Sequence, residues 1–453
     1  MLTDDLSRAL GEDVTLSGDV SSYLVDETET RSIKGHADAV VLPSTTVQVA
    51  SIVSFAYARD IPITVRGGGT GYSGGAVPTD GGIVLSLERM NRIRASDPFQ
   101  WRMEVEAGVT TERVRHAARQ NGLYFPPDPG AGEQSHIGGN IATNAGGPHA
   151  FKYGTVGAWV TGLELVVPPG DVVHVGGPLR KDVASYDLKR LVIGSEGTLA
   201  IVTSAWLRLI PMPEASQAVV AVYPDCNSGV EAIETVLGSG LGVAALEYLD
   251  RGSLEAAPPR FFESLPSRAR FAVLCEVDGS ASETVTLTES VLEALQPNAL
   301  AVHAPSTSAE VAAVWRWREG LTAAVTAQRG GKVSEDIVVP LDKLGDAIAE
   351  TVAIGERAGL PACSWGHAGD GNLHSTFLVD RENPEEIAAA EQAAQDLFRL
   401  AVALGGSISG EHGVGLVKTG HLSEMLGARA YDLHMGVKQL FDPKGLLNPG
   451  KKI

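Results

Sequence analysis

The sequence predicts an α+β protein of two domains, and three observations carry that prediction. Short strand-like segments alternate with short helices over about the first 210 residues, and three glycine-rich loops fall in the same stretch. After Pro211-Met212-Pro213 the glycine clusters thin out and longer Ala/Glu-rich helices begin. At 453 residues the chain is also longer than the roughly 100–200 residues that one core usually organises. The expected domains are 1–211, 212–440 and a loop-like tail, 441–453, that returns to the first of them.

In the first domain, a Ser/Thr cap at Ser44 precedes Val49, Ile52, Val53 and Ala56 at helical spacing, so a helix is expected there, with a strand over 61–65 after it. Further strands are expected within 83–90, 103–110, 161–177 and 199–211, and a helix from Thr111 to Asn121. In the second domain, helices are expected near 281–296, 308–328 and 384–404, and strands near 217–223, 271–277 and 361–379. No repeat of solenoid length is visible.

Composition excludes several functions. A net charge of -19 opposes binding to nucleic acid, which needs clustered Lys and Arg. An anionic substrate would need local positive charge to overcome that field. Cys226, Cys275 and Cys363 are scattered and odd in number, which fits a reducing compartment. The acidic N-terminus lacks a signal-peptide pattern, and no apolar run approaches the roughly 20 residues that span a bilayer, so a cytoplasmic protein without a transmembrane segment is expected.

The glycine loops point to a cofactor. Arg66-Gly67-Gly68-Gly69-Thr70-Gly71-Tyr72-Ser73-Gly74-Gly75 follows a strand, and such a run turns successive backbone N–H groups toward an anion such as a pyrophosphate. It is neither the Rossmann fingerprint, since no helical pattern follows, nor a P-loop, since the Lys-Ser/Thr pair is missing. The runs 126–129 and 135–147, and the run Ile193-Gly194-Ser195-Glu196-Gly197-Thr198-Leu199, combine small residues with hydrogen-bonding side chains, as a loop lying flat against a planar ligand requires.

A second group of residues points to a metal. On an unbroken strand His367 and His374 would lie about 23 Å apart. The Gly-Asp-Gly between them is turn chemistry, so the chain can reverse and bring both imidazoles to one divalent ion. Two buried structural histidines are the plain alternative. Glu411 and His412 are adjacent, so in an extended segment one can ligate while the other faces substrate. Two imidazoles and a carboxylate suit zinc, with manganese or iron as alternatives.

The motifs LPST (42–45), RGGGTG (66–71), PPDPG (126–130), SHIGGNIATNAGG (135–147) and LVIGSEGTLAIVT (191–203) together resemble the FAD-binding domain of the vanillyl-alcohol oxidase / p-cresol methylhydroxylase superfamily. The stretches 365–374 and 407–415 resemble the C-terminal domain of the FAD-linked D-2-hydroxyacid dehydrogenases and glycolate oxidase D subunits, so the likeness spans about 35–453. It implies a two-part FAD domain and an α+β substrate, or cap, domain with an antiparallel sheet. By that resemblance Arg66, Gly67, Gly68, Gly69, Thr70, Gly71, Ser73 and Gly74 cradle the FAD pyrophosphate. Pro127, Ser135, Gly138, Gly139, Asn140, Thr143, Asn144 and Gly147 line the cofactor, as do Glu196, Gly197, Ile201 and Asn448. Covalent relatives carry His where this chain has Thr70, which implies dissociable FAD.

The same resemblance assigns His367, His374 and Glu411 to a metal, His412 to the general base, and Arg318 to the substrate carboxylate with Thr322 beside it. The implied reaction is oxidation of a small D-2-hydroxy acid, of the D-lactate or glycolate class, to the 2-oxo acid. Ser334 and Thr376 stand where some dicarboxylate-handling relatives have Lys and Asn, which favours a short substrate. The alternative is a transferase resembling alkyldihydroxyacetonephosphate synthase, but that family has a His-His-His run where this chain has Gly410-Glu411-His412. Beyond the substrate, the implied partner is an electron acceptor the sequence does not identify; a homodimer is left open.

Overall fold

The computed structural model describes residues 2–11, 13–31 and 33–453, so Met1, Glu12 and Ser32 of the expected first domain lie outside them. It divides into two units: residues 1–146, 154–212 and 411–453 form the first, and 147–153 with 213–410 form the second. The return to the first unit therefore begins at Glu411, thirty residues before the expected 441. The reason is local to that unit: Glu196 accepts the Val414 and Gly415 N–H groups at 2.8 and 2.7 Å, anchoring this stretch well upstream of the tail.

Among the described residues, the first unit contains three sheets. The strands β1 (Ala39–Val41), β2 (Ile63–Arg66) and β3 (Ile83–Ser86) pair in parallel in the order β1-β3-β2. An antiparallel five-stranded sheet is formed by β4 (Ile93–Asp97), β5 (Arg102–Glu106), β7 (Val160–Val167), β8 (Asp171–Gly176) and β9 (Ile201–Arg208), in the order β4-β5-β9-β7-β8, while β6 (Leu123–Tyr124) pairs with β10 (Ile210–Pro211). Its two edges, β4 and β8, alternate between exposed and half-buried residues, the pattern of strands with one wet face. The helix Thr46–Tyr57 starts at a Thr45 cap that accepts the Gln48 N–H, and it buries Val49, Ile52, Val53 and Ala56 in the core with Ile63, Ile83 and Leu85.

The second unit is built on one seven-stranded antiparallel sheet. Its strands are β11 (Ala215–Tyr223), β12 (Ala245–Leu249), β13 (Phe271–Gly279), β14 (Ala301–His303), β15 (Gly330–Val338), β16 (Ala362–His367) and β17 (Asn372–Asp380), in the order β14-β11-β13-β12-β16-β17-β15. Capping boxes at Ser280/Glu283 and Thr307/Glu310 start the helices Ala281–Leu295 and Ser308–Glu319. The expected single helix over 308–328 breaks at Gly320, where a second helix, Leu321–Ala327, begins. Its Leu321 and Val325 pack on Leu249, Cys363 and Trp365 of the sheet.

Candidate functional site

Three segments of the first unit build a cradle. β2 ends at Arg66 and releases the chain into the glycine run, where a Cβ on Gly68 would collide with the Gln134 carbonyl oxygen. The run 135–147 is not the open loop expected: Ile137 and Ile141, four residues apart, are buried and define a short helix, Ile137–Thr143, closed by Asn144 in the left-handed conformation. Its glycines allow close packing, since a Cβ on Gly138 would lie 2.7 Å from that of Ala107. The third segment is the turn at Ile193–Thr198, which Asn448 ties to β2 by accepting the Val65 N–H at 2.8 Å and donating to the Glu196 carbonyl at 2.6 Å.

These segments offer what a large polar cofactor needs. A cavity of about 310 Å³ is lined by Arg66, Gly67, Gly68, Thr110, Gln134 and His136, among others. Two buried polar atoms of the cradle, His136 Nδ1 and Ser195 Oγ, lack a hydrogen-bond partner among the described residues, and buried polar groups are rarely left so. Burial lowers the His136 pKa; Glu88 opposes that shift and Arg66 adds to it. Neither His136 nor Ser195 was singled out in the sequence, although both lie inside the motifs that were. The Glu196 carboxylate receives the Val414 and Gly415 N–H groups and Lys452 Nζ, so it latches the returning chain. Gly147 falls in the second unit, while Pro127, Ser135 and Asn140 are buried in the first.

As an expected outcome, Gly68→Ala should yield folded protein with little bound FAD, because the added methyl must displace the backbone at Gln134. The ratio of flavin to protein absorbance after purification checks this; full occupancy would contradict the cradle.

In the second unit the histidines meet. A short 3₁₀ turn, Ala368–Asp370, and Gly371 at φ +68° reverse the chain between β16 and β17. The two strands pair antiparallel with His367 opposite Asn372 and Trp365 opposite His374. His367 Nε2 and His374 Nε2 lie 3.4 Å apart. Two nitrogens bound tetrahedrally at about 2.0–2.1 Å from zinc would be separated by about 3.3–3.4 Å, so the pair fits one ion.

Beside them stands Glu247, which the sequence reading missed. It is fully buried and directly opposite His367 across β12 and β16. One oxygen accepts from His367 Nδ1 at 2.5 Å, the other from Arg318 Nε at 2.7 Å and Nη2 at 2.6 Å. Burial works against the Glu247 carboxylate, but His367 and Arg318 outweigh it and hold its pKa below the ordinary value. The only signal in the sequence is a charged residue inside the apolar strand Ala-Leu-Glu-Tyr-Leu.

Neighbouring strands extend the polar surface. Asp336, opposite His374 on β15, accepts the Gly410 N–H at 2.6 Å, and Glu411 is the next residue. Two pairs along the same strands, the Ser334 and Thr376 hydroxyls hydrogen-bond each other at 2.7 Å. Thr322 is half-buried in the helix after Gly320. In the first unit, Glu411 packs on Gly146, where an added Cβ would lie 2.8 Å from Oε2. The His412 ring lies 4.8 Å from that of Tyr72, and its carbonyl accepts from Ser73 Oγ at 3.1 Å.

Known proteins share this organisation. The family described as FAD linked oxidases, C-terminal domain, matches residues 212–452, and the FAD binding domain family matches residues 37–176. The glycolate oxidase subunit GlcD of Bacillus subtilis is 37% identical over 416 residues, 91% of this chain and 88% of its own length. A D-lactate dehydrogenase of Archaeoglobus fulgidus is 36% identical over 441 residues, 95% of each chain. Among solved structures, p-cresol methylhydroxylase with substrate bound is similar at TM-score 0.78 and 17% identity, covering 99% of this chain and 96% of its own. Alkyldihydroxyacetonephosphate synthase is similar at TM-score 0.70 and 19% identity, covering 91% and 77%. These two likenesses establish the α+β fold of the p-cresol methylhydroxylase type and leave the chemistry to the residues.

Proposed function

Since the chain belongs to the FAD-linked oxidases and is an oxidoreductase, we propose that it oxidises a small D-2-hydroxy acid, of the D-lactate or glycolate class, to the 2-oxo acid, with the C2 hydrogen passing as hydride to flavin N5. The observation that carries this reading is the pair of imidazoles, held 3.4 Å apart with Arg318 tied to the same carboxylate that holds His367. An α-hydroxy acid needs those two functions side by side, one for the hydroxyl and one for the carboxylate.

Bound FAD, dissociable because Thr70 replaces the linking histidine, would supply the two-electron acceptor, and a divalent ion, zinc or alternatively manganese or iron, would supply Lewis acidity at the hydroxyl. His367, His374 and Glu411 would hold the ion. Support for Glu411 comes from the chain itself: Gly410 is pinned to Asp336, opposite His374, and one peptide step of about 3.8 Å leads to Glu411. Arg318 would grip the substrate carboxylate with the Nη1 side of its guanidinium, because Glu247 takes Nε and Nη2. Thr322 would add a hydroxyl near that end. His412 would take the hydroxyl proton. The Ser334–Thr376 pair satisfies itself and so offers little to a second carboxylate, which favours a short side chain.

A cytoplasmic location is part of this proposal, supported by three free cysteines. No described helix is long and apolar enough to cross a membrane. The test is an anaerobic flavin-reduction screen over glycolate, D- and L-lactate, D-2-hydroxybutyrate and D-2-hydroxyglutarate, with metal analysis of the same sample. Rapid bleaching by D-lactate or glycolate, and slower bleaching by the dicarboxylate, is expected; preference for the dicarboxylate would overturn the substrate class. No bleaching by any of them would favour the transferase chemistry of alkyldihydroxyacetonephosphate synthase.

A further inference from the structure

We propose that Glu247 is a positioning residue that sets the tautomer of His367 and the orientation of Arg318 together. The inference rests on the metal-assisted reading above and goes beyond it by assigning the control of that site to a residue that touches neither ion nor substrate.

The geometry divides the carboxylate between two partners. Oε1 faces His367 Nδ1 at 2.5 Å, and Oε2 faces Arg318 Nε and Nη2 at 2.7 and 2.6 Å. A carboxylate paired with arginine is an acceptor, so the proton of that His367 contact stays on Nδ1 and the lone pair stays on Nε2. Nε2 is the atom that lies 3.4 Å from His374 Nε2. The contact is built into the sheet, since Glu247 and His367 are direct cross-strand partners, whereas Arg318 arrives from the helix Ser308–Glu319. An ion pair serving packing alone would need Arg318 but not the imidazole.

Glu247→Gln separates the two roles with almost no change of shape. A carboxamide has one acceptor and one donor, so it cannot accept from both partners. If its NH₂ turns to His367, the proton of that ring must move to Nε2, which then cannot bind a metal. If its NH₂ turns to Arg318, two donors face each other and the guanidinium is displaced.

The experiment is zinc binding to purified, FAD-loaded, metal-stripped wild type and E247Q, measured by competition with a chromophoric chelator. E247Q is expected to bind zinc about 10–100-fold more weakly. Its flavin content should equal that of wild type, whereas the unfolding midpoint of the metal-free protein should fall, because buried Arg318 loses its counter-charge. Equal zinc affinity would overturn the proposal, and so would a wild type that binds no zinc. Should E247Q fail to fold, ¹⁵N-histidine spectra of metal-free wild type decide the matter, with the His367 signal identified by its loss in His367→Gln. The Nδ1–H tautomer is expected, and Nε2–H would overturn the assignment. Failure of the hydroxy-acid reading looks different: no 2-hydroxy acid would bleach the flavin, while the two zinc affinities would still differ.

Discussion

His412→Ala is expected to lower the rate of flavin reduction by about 10²–10⁴-fold while leaving FAD bound. The size follows from the proposed role: without the imidazole, the hydroxyl proton has no positioned acceptor as the C2 hydrogen departs. Retention of FAD follows from the contacts. What His412 gives the first unit is its backbone carbonyl, which accepts from Ser73, and the N–H groups two and three residues on, which bind Glu196. All of these survive the substitution, which removes the ring contact with Tyr72. Single-turnover anaerobic mixing separates reduction from cofactor loss. Normal bleaching would move the base elsewhere.

Arg318→Ala is expected to act on two quantities at once. Glu247 is fully buried, and removing the guanidinium leaves its Oε2 without the charge that offsets desolvation. Breaking a buried pair from one side costs roughly 3–5 kcal/mol, so denaturant unfolding should shift by that order. The Michaelis constant for the hydroxy acid should rise as well, because the substrate carboxylate loses its proposed partner. Arg318→Lys should not restore either property, since an ammonium cannot span Glu247 and a substrate in one plane. A variant as stable as wild type, with unchanged substrate affinity, would remove Arg318 from the site.

The hairpin that joins the histidines was legible because Gly-Asp-Gly marks a reversal, and a reversal fixes which side chains become neighbours. The helix Ile137–Thr143 was not, because a run of Gly, Asn, Ala and Thr has loop composition; the burial of Ile137 and Ile141 decides the matter, and burial depends on the whole fold. The return of the chain at Glu411 was hidden for a similar reason. It depends on Glu196 bonding Val414 and Gly415, partners more than two hundred positions away that no local pattern announces. Glu247 shows the same limit at the site itself. Its histidine and arginine partners are 120 and 71 residues away, so only the strand order β12-β16 and the placement of the helix Ser308–Glu319 bring them together. By contrast, the residues proposed as metal ligands and base stand out in the sequence because they sit in short, chemically dense runs.

The decisive measurement is anaerobic mixing of the FAD-loaded, zinc-replete protein with D-lactate carrying either hydrogen or deuterium at C2, followed by flavin absorbance, and repeated after chelation of the metal. The expected result is loss of the yellow absorbance, slowed by deuterium and slowed further when the metal is removed. Flavin that stays oxidised with D-lactate and with glycolate, or bleaching indifferent to both deuterium and chelation, would contradict metal-assisted hydride transfer from a 2-hydroxy acid.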